Sequence, residues 1–326
     1  MQWNVAGLDL RRSTSLVFLI CLSWTSVFSS SVPSNLPEKA PFSLRFHGEV
    51  SPYRITSAFV LPGESLVLEV LDEQATNRYS LQSPLGGSRQ LGPRKWRWKS
   101  PSTKGTYSLR VERQDSDESI HLNVFVMVPA SAQKGEYLNG YRIGRYPKRP
   151  LKGLAAYRAP RGFVEVTPEN EDTLLVPHFR LKQFLCKQEA DYPKYVVLQG
   201  RLLHKLEVLL ERLNLKGHQA NSLYVMSGYR TPYYNRMIGN GAYSRHIWGG
   251  AADVFLDHSP ADGFMDDLNQ DGTVDTSDAK VLSDFVEEID GDSALKRFLG
   301  GLAIYPENQA HGPFVHMDER GFRARW

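Results

Sequence analysis

Residues 227–253 read SGYRTPYYNRMIGNGAYSRHIWGGAAD. They begin at the end of the apolar segment LYVMS (223–227) and finish inside AADVFL (251–256). Short apolar segments on either side of a polar, glycine-containing loop are typical of strands, so both segments are predicted to be strands. Two further strands are predicted near the end of the sequence, at residues 302–305 and at FVHMD (314–318).

Helices are predicted between and before these strands. The clearest covers residues 195–215, where Pro193 precedes the segment and Gly217 is placed to end it, and where leucines recur at intervals of three and four: Leu198, Leu202, Leu206, Leu209, Leu210 and Leu213. A second is predicted at residues 281–289. Helices and strands in this irregular order predict an α+β domain with an antiparallel sheet, covering residues 167–326.

Three residues of the predicted strands and loop are candidate metal ligands. His246 and Asp253 are seven residues apart, and His316 lies in the last apolar strand, where an unpartnered imidazole is costly. A histidine and an aspartate at this spacing also occur by chance. Two imidazoles and one carboxylate are nevertheless a ligand set of hydrolytic zinc, with the fourth position left for water.

The same residues resemble a known group of enzymes. SGYRTP (227–232), SRHIWGGAAD (244–253) in the pattern S-x-H-x-x-G-x-A-x-D, and the closing FVHMDERGFRARW (314–326) resemble the D-Ala-D-Ala carboxypeptidase group of zinc peptidases. Hedgehog signalling domains are structurally similar to this group. The likeness is greatest to murein endopeptidases with a closing R-W. It implies Zn²⁺ bound by His246, Asp253 and His316, and peptidoglycan peptides as substrate.

The resemblance also implies that Arg230 holds the substrate, a role for which its planar guanidinium is suited. A structural ion pair is the alternative for Arg230. Many family members carry a general base shortly before the last histidine, where this sequence has Pro313 and Phe314. The remaining candidates are His311 and Asp318, and Asp318 is interpreted first as a residue that orients His316.

An acidic loop at residues 267–278 has the spacing of a calcium-binding loop. Its oxygen-bearing residues occupy positions 1, 3, 5, 7, 9 and 12, and Gly272 stands at position 6: Asp267, Asn269, Asp271, Thr273, Asp275 and Asp278. The loop resembles those of dockerins. The interpretation is a structural Ca²⁺ that holds an insertion near the rim of the cleft, and a solvated acidic loop is the alternative.

The first half of the chain differs in character. Residues 40–130 contain short alternating apolar segments separated by turn residues, which predicts an all-β, immunoglobulin-like sandwich. Trp96 and Trp98 in KWRWK share one strand face, either towards the core or as a platform on which glycans stack. Residues 131–166 are rich in glycine, proline and basic side chains, and they are predicted to form a linker with or without a hairpin.

The N-terminus has the composition of a secretory signal. Arg11 and Arg12 precede an apolar segment at 16–28 that is short for a membrane span, which predicts a signal peptide at 1–29 and a periplasmic or secreted protein; an uncleaved anchor is the alternative. Cleavage would remove Cys21 and leave Cys186 as a buried thiol without a disulfide partner. A net charge of +3, from 39 basic and 36 acidic residues, gives no reason to expect nucleic acid as a partner.

The sequence therefore predicts a secreted zinc metallopeptidase acting on peptidoglycan stem peptides or cross-links. A zinc-containing but inactive cell-wall binding protein is the alternative from another class, and a peptidase for other peptides is the third. Whether it is a carboxypeptidase or an endopeptidase, whether it cleaves D,D or L,D bonds, what the sandwich binds and which oligomer forms are not determined by the sequence.

Overall fold

A computed structural model describes residues 38–218, 220–258 and 260–326. The predicted signal peptide at 1–29 and Cys21 lie outside the described residues. Within them, no helix has the length and apolar character needed to cross a membrane. The described residues form one compact unit.

The N-terminal part contains strands and no α-helix in its described residues. The strands are β1 (Lys39–Phe46), β2 (Glu49–Tyr53), β3 (Ile55–Val60), β4 (Ser65–Leu71), β5 (Tyr79–Gln82), β6 (Gly87–Gly92), β7 (Lys95–Lys99), β8 (Gly105–Arg113) and β9 (Ser119–Val126). One sheet has the order β2-β1-β4-β7-β6 and the other has the order β3-β9-β8-β5. All neighbours are antiparallel except β3 and β9, which are parallel.

The two sheets share one hydrophobic core. Leu66, Leu68 and Trp98 of the first sheet belong to the same buried cluster as Leu122 and Val124 of the second. Two sheets that pack face to face around one core are the general arrangement of a sandwich. The immunoglobulin-like topology itself stays a prediction. Trp96 and Trp98 are 5% and 0% exposed, so both rings are part of the core and cannot serve as a platform for glycans.

The segment predicted as a linker is packed against the rest of the protein. Residues 128–196 contain short elements: β10 (Val128–Pro129), β11 (Tyr137–Leu138), β12 (Tyr141–Arg142), β13 (Gly162–Val166), β14 (Leu174–Val176), β15 (Phe179–Arg180) and β16 (Lys194–Val196). β11 and β12 form the expected hairpin. Leu138, Tyr141 and Ile143 are buried in the core of the C-terminal part. The segment predicted as a linker is therefore packed rather than extended, and isolated apolar residues without a period carry no local sign of this burial.

The C-terminal part is α+β, as predicted. Its elements are α1 (Gly200–Leu215), β17 (Tyr224–Ser227), α2 (Pro232–Met237), β18 (Ala251–Phe255), α3 (Thr276–Gly291), β19 (Gly301–Tyr305), β20 (Phe314–Asp318) and β21 (Ala324–Arg325), with 3₁₀ helices at Arg245–Trp248 and Ser293–Phe298. The sheet order is β17-β18-β20-β19-β21, and only β19 and β21 run parallel. Helices α1 and α3 contact each other, and α3 packs on β19 and β20.

Helix α1 begins five residues later than predicted. Tyr195 and Val196 belong to β16, where they pair with Glu165 and Val164 of β13. Both side chains are fully buried there. The pairing satisfies their backbone groups in a sheet, so the helix starts only where the leucine repeat is continuous.

Hydrogen bonds join the two parts. Ser57 Oγ donates to the carbonyl of Leu175 at 2.7 Å, and Asn123 Nδ2 donates to the carbonyl of Leu174 at 2.8 Å. Thr56 Oγ1 lies 3.2 Å from His204 Nε2 of α1. The N-terminal sheets are thus packed directly against the α+β part.

Candidate metal centre

The sheet brings the three candidate ligands to one place. Asp253 in the middle of β18 lies directly opposite His316 of β20, so their side chains stand on the same face. His246 comes from the 3₁₀ helix Arg245–Trp248 that precedes β18. The three side chains are 2–6% exposed.

The candidate ligand atoms form a nearly equilateral triangle. His246 Nε2 is 3.1 Å from Asp253 Oδ1 and 3.2 Å from His316 Nδ1, and His316 Nδ1 is 2.8 Å from Asp253 Oδ1. Ligands at about 2.0–2.1 Å from a tetrahedral zinc ion lie about 3.3 Å apart. The donor set and the spacing therefore fit Zn²⁺. Among the described residues, this is the only group of three histidine, cysteine or acidic side chains arranged to hold a metal.

Each imidazole is fixed by its other nitrogen. His246 Nδ1 donates to the carbonyl of Gly228 at 2.7 Å, which leaves Nε2 as an acceptor facing the centre. His316 presents Nδ1 to the centre, and its Nε2 lies 3.3 Å from Asp318 Oδ2. Such partners set the tautomer and the ring orientation of a ligand histidine.

Two glycines permit these positions. Gly249 ends the 3₁₀ helix in the left-handed conformation with φ of 64°, and a Cβ there would lie 1.9 Å from the carbonyl oxygen of Val197. Gly228 lies so close to Phe184 that a Cβ would be 2.7 Å from the Cα of that residue. Residues with side chains at either position would displace His246 or its hydrogen-bond acceptor.

Arg230 lies beside the centre and contacts one of its members. Its Nη2 donates to Asp253 Oδ2, the oxygen that is turned away from the histidines, and its Nε donates to Ser227 Oγ at 2.8 Å. Burial acts to raise the pKa of Asp253, but the two histidines hold that pKa well below its ordinary value. The structural ion pair considered for Arg230 is present, and Arg230 also lines the cavity next to the centre.

Asp318 faces away from that cavity. It is fully buried, and its carboxylate accepts hydrogen bonds from the backbone N–H of Gly301 at 2.7 Å, from that of Arg320 at 3.0 Å and from Arg320 Nε at 2.9 Å. Burial acts to raise its pKa, whereas His316 and Arg320 lower it far below the ordinary value. Asp318 is therefore placed to orient His316, the first of the two roles predicted for it.

His311 does line the cavity, which has a volume of about 350 Å³. Its Nε2 lies 2.8 Å from Asn308 Nδ2, and its ring packs edge-on against Phe314 with 4.9 Å between centroids. The aromatic side chains Tyr305 and Trp326 line the cavity as well. Its Nδ1 lies 2.7 Å from the carbonyl of Gly312, so both ring nitrogens have partners. His311 is the one lining imidazole outside the triangle in the described part of the chain, and it remains the candidate for proton transfer.

The structure adds a buried ion pair that the sequence did not reveal. Arg245, next to His246, is 1% exposed, and its Nη2 donates to Glu319 Oε1. Its Nη1 donates to the carbonyl of Ala156 at 2.5 Å. Burial raises the pKa of Glu319 despite the neighbouring guanidinium. The two residues are 74 positions apart, so no local signal links them.

In the loop predicted to bind calcium, acidic side chains accept hydrogen bonds from backbone N–H groups of the same loop. Asp267 accepts from the N–H groups of Asp271 and Gly272 at 3.2 and 2.8 Å. Asp275 caps α3, and the buried Asp278 accepts from the N–H groups of Leu268 and Asp275 at 2.7 and 2.9 Å. Capping of α3 accounts for the contacts between Asp275 and Asp278, and the contacts to Leu268, Asp271 and Gly272 lie within the loop. The structure gives the structural Ca²⁺ no support beyond the sequence pattern, so that site stays a prediction.

Asp318 and His311 can be distinguished by zinc titration. If Asp318 orients His316, we expect Asp318→Asn to bind zinc about 10- to 100-fold more weakly and to recover much of its turnover at saturating zinc. If His311 transfers protons, His311→Gln should keep its zinc affinity and lose about 10²-fold or more in kcat. Zinc affinity and kcat measured on both folded variants, checked by circular dichroism, test this. Loss of kcat in Asp318→Asn that excess zinc does not restore would instead make Asp318 the base.

Comparison with known proteins supports a peptidase. A search of curated proteins returned no match. Residues 177–279 match a family model described as Peptidase M15. This range covers less than half of the chain and contains Arg230, His246 and Asp253, whereas His316 lies beyond it and reaches the centre through the sheet. The segment that carries two of the three candidate ligands is thus similar to Peptidase M15.

Proposed function

We propose that this protein is a zinc-dependent peptidase that hydrolyses peptidoglycan stem peptides or their cross-links. The observation that carries the proposal is the triangle of His246 Nε2, Asp253 Oδ1 and His316 Nδ1, with edges of 2.8–3.2 Å at the base of an open cavity. The Peptidase M15 match supports the same reaction class. The peptidoglycan substrate rests on the resemblance of SRHIWGGAAD and FVHMD to murein peptidases.

The three ligand residues would hold Zn²⁺, which supplies Lewis acidity to polarise a peptide carbonyl and to acidify water. Arg230 fixes Asp253 through Oδ2 and presents its guanidinium to the cavity, where it can stabilise negative charge on a peptide oxygen. Asp318 holds the ring of His316 through Nε2. His311, on the cavity wall, exchanges the proton between water and the leaving amine.

The aromatic wall suits a peptide with apolar side chains. Trp326 is 55% exposed and Tyr305 is 36% exposed, and Trp326 Nε1 donates to the hydroxyl of Tyr305 at 3.0 Å. The indole lies 5.2 Å from the ring of His316 between centroids. Exposed aromatic rings beside the ligands offer a flat apolar surface for the small side chains of a stem peptide.

Export through a signal at 1–29 to the periplasm or medium belongs to this proposal.

The test is digestion of purified peptidoglycan and of soluble muropeptides, followed by mass spectrometry. We expect peptide bonds to be cleaved by the zinc-loaded protein, cleavage to stop after zinc is removed with a chelator, and cleavage to return when zinc is added. Protein that holds one zinc ion per chain yet binds peptidoglycan without cutting it would make the inactive binding protein correct. Cleavage restricted to peptides without D-amino acids would leave the peptidase and overturn the wall substrate.

A further inference from the structure

A second groove opens beside the metal centre. It has a volume of about 520 Å³ and runs along β17 and the segment before it. We call it the β17 groove and define it by its main lining residues: Lys182, Lys187, Tyr224, Met226, Ser227 and Gly228. Neither the resemblance nor the proposed reaction assigns it a role.

The groove exposes the edge of a sheet. β17 is the first strand in the order β17-β18-β20-β19-β21, and no strand in the described part of the chain pairs with its outer edge. Its four residues are exposed or half-buried, whereas all residues of β18 and β20 are buried. The backbone of Tyr229 is already bonded to Phe184, so the open edge is confined to Tyr224–Ser227. An open strand edge binds an extended peptide through backbone hydrogen bonds.

One end of the groove lies next to residues that contact the metal centre. Ser227 lies opposite Asp253 in the sheet, and its hydroxyl accepts the hydrogen bond from Arg230 Nε. Gly228, the next residue, provides the carbonyl that orients His246. A peptide paired with β17 would therefore have one end close to Arg230, which lines the cavity at the triangle.

The charges of the groove favour an anionic peptide. Lys187 is exposed and forms no ion pair among the described residues. Lys182 is paired with Asp172 at 2.8 Å. The carboxylate of Asp257, also at the groove, accepts backbone N–H groups from the loop at 262–263. Lys187 is thus the cation left for a ligand.

Tyr224 adds a flat aromatic surface at the end of the β17 groove that is farther from the metal centre. Its ring stacks on that of Phe255 with 4.6 Å between centroids, and the side chain remains 44% exposed. Residues 253 and 255 of β18 point to the same side of the sheet, so Tyr224 lies on the face that carries the metal centre.

We propose that the β17 groove binds one arm of the substrate as an added β-strand and that Lys187 recognises a free carboxylate on that arm. The inference rests on the proposed function and specifies its substrate: an extended acidic peptide that continues on both sides of the bond to be cleaved. Such a substrate makes the enzyme an endopeptidase.

The experiment compares two synthetic branched stem peptides that differ only in one side-chain carboxyl group, free in one and converted to the carboxamide in the other. Affinity is measured by fluorescence anisotropy on the inactive His246→Ala protein, and kcat/KM is measured on the active protein. We expect about a fivefold preference for the free acid, the size typical of an exposed ion pair. Lys187→Ala should reduce that preference to about one, Lys187→Arg should keep it, and the matched control Lys280→Ala on α3 should leave it unchanged.

Backbone pairing between the substrate arm and β17 can be tested separately from the charge of Lys187. Adding an N-methyl group to successive residues of the arm should weaken binding at every second position, because alternate N–H groups of an added strand face β17. Equal affinity for acid and amide, equal effects of Lys187→Ala and Lys280→Ala, or tolerance of N-methyl groups at all positions would each overturn the inference. Failure of the proposed function looks different: no peptide would be cleaved, while the binding preference of the His246→Ala protein would persist.

Discussion

The His246→Ala protein is expected to lose stoichiometric zinc and all measurable peptidase activity. Two ligands remain, and the Nε2 atom that completes the triangle with Asp253 Oδ1 and His316 Nδ1 is gone. Because the Lewis acidity of the metal contributes several kcal/mol to such a reaction, we expect kcat/KM to fall by more than about 10³-fold. Zinc content by mass spectrometry and hydrolysis of muropeptides measure the two losses.

His218→Ala is the matched control for that variant. His218 is half-buried at the end of α1, packs against Phe285 and is not part of the centre. It should retain zinc and activity. Wild-type turnover in the His246→Ala protein would show that the triangle is not the catalytic centre, and a folded His246→Ala protein that still holds one zinc ion would place the metal elsewhere.

Breaking the Arg245–Glu319 pair should have the largest effect on stability. Glu319→Ala leaves the guanidinium of Arg245 in the core without its carboxylate, and removal of one partner of a buried ion pair costs about 3–5 kcal/mol. We expect the free energy of unfolding to fall by this amount. Urea denaturation in the presence of a chelator measures it without a contribution from bound zinc.

The double variant Arg245→Met/Glu319→Leu separates the pair from simple loss of packing. It removes both charges and should be more stable than Glu319→Ala alone, since no unpaired charge remains in the core. Lys280→Ala, which breaks the exposed pair with Asp284, should change stability by less than about 1 kcal/mol. A Glu319→Ala protein as stable as Lys280→Ala would show that Arg245 finds other partners or water.

The three candidate ligands could be identified from the sequence because metal binding requires particular residue types, whereas it leaves their spacing along the chain free. An imidazole such as His316 in an apolar strand, and an aspartate inside AADVF, are costly unless they share a partner. The general base was not decided in the same way. Asp318 and His311 are both candidates from the sequence, and only the structure shows that Asp318 accepts hydrogen bonds from Arg320 and Gly301 while His311 lines the cavity.

Errors in the fold prediction arose where burial depends on distant contacts. Tyr195 and Val196 continue the apolar pattern of α1, yet they pair with β13 and form a strand. Leu138, Tyr141 and Ile143 are scattered among polar residues in the segment predicted as a linker, and all three are in the core. Local periodicity records the face that one element buries and contains no information about which element covers it.

The sequence by itself determined the α+β order of elements, the alternating strands of the first half and the identity of the three candidate ligands, because these follow from side-chain chemistry and local repeat. Only the tertiary structure decided that His316, 70 residues after His246, closes the triangle, that Arg245 pairs with Glu319, and that β17 leaves one edge open beside the centre. Register between strands and packing between distant segments set these three features, since each depends on which atoms meet across the fold.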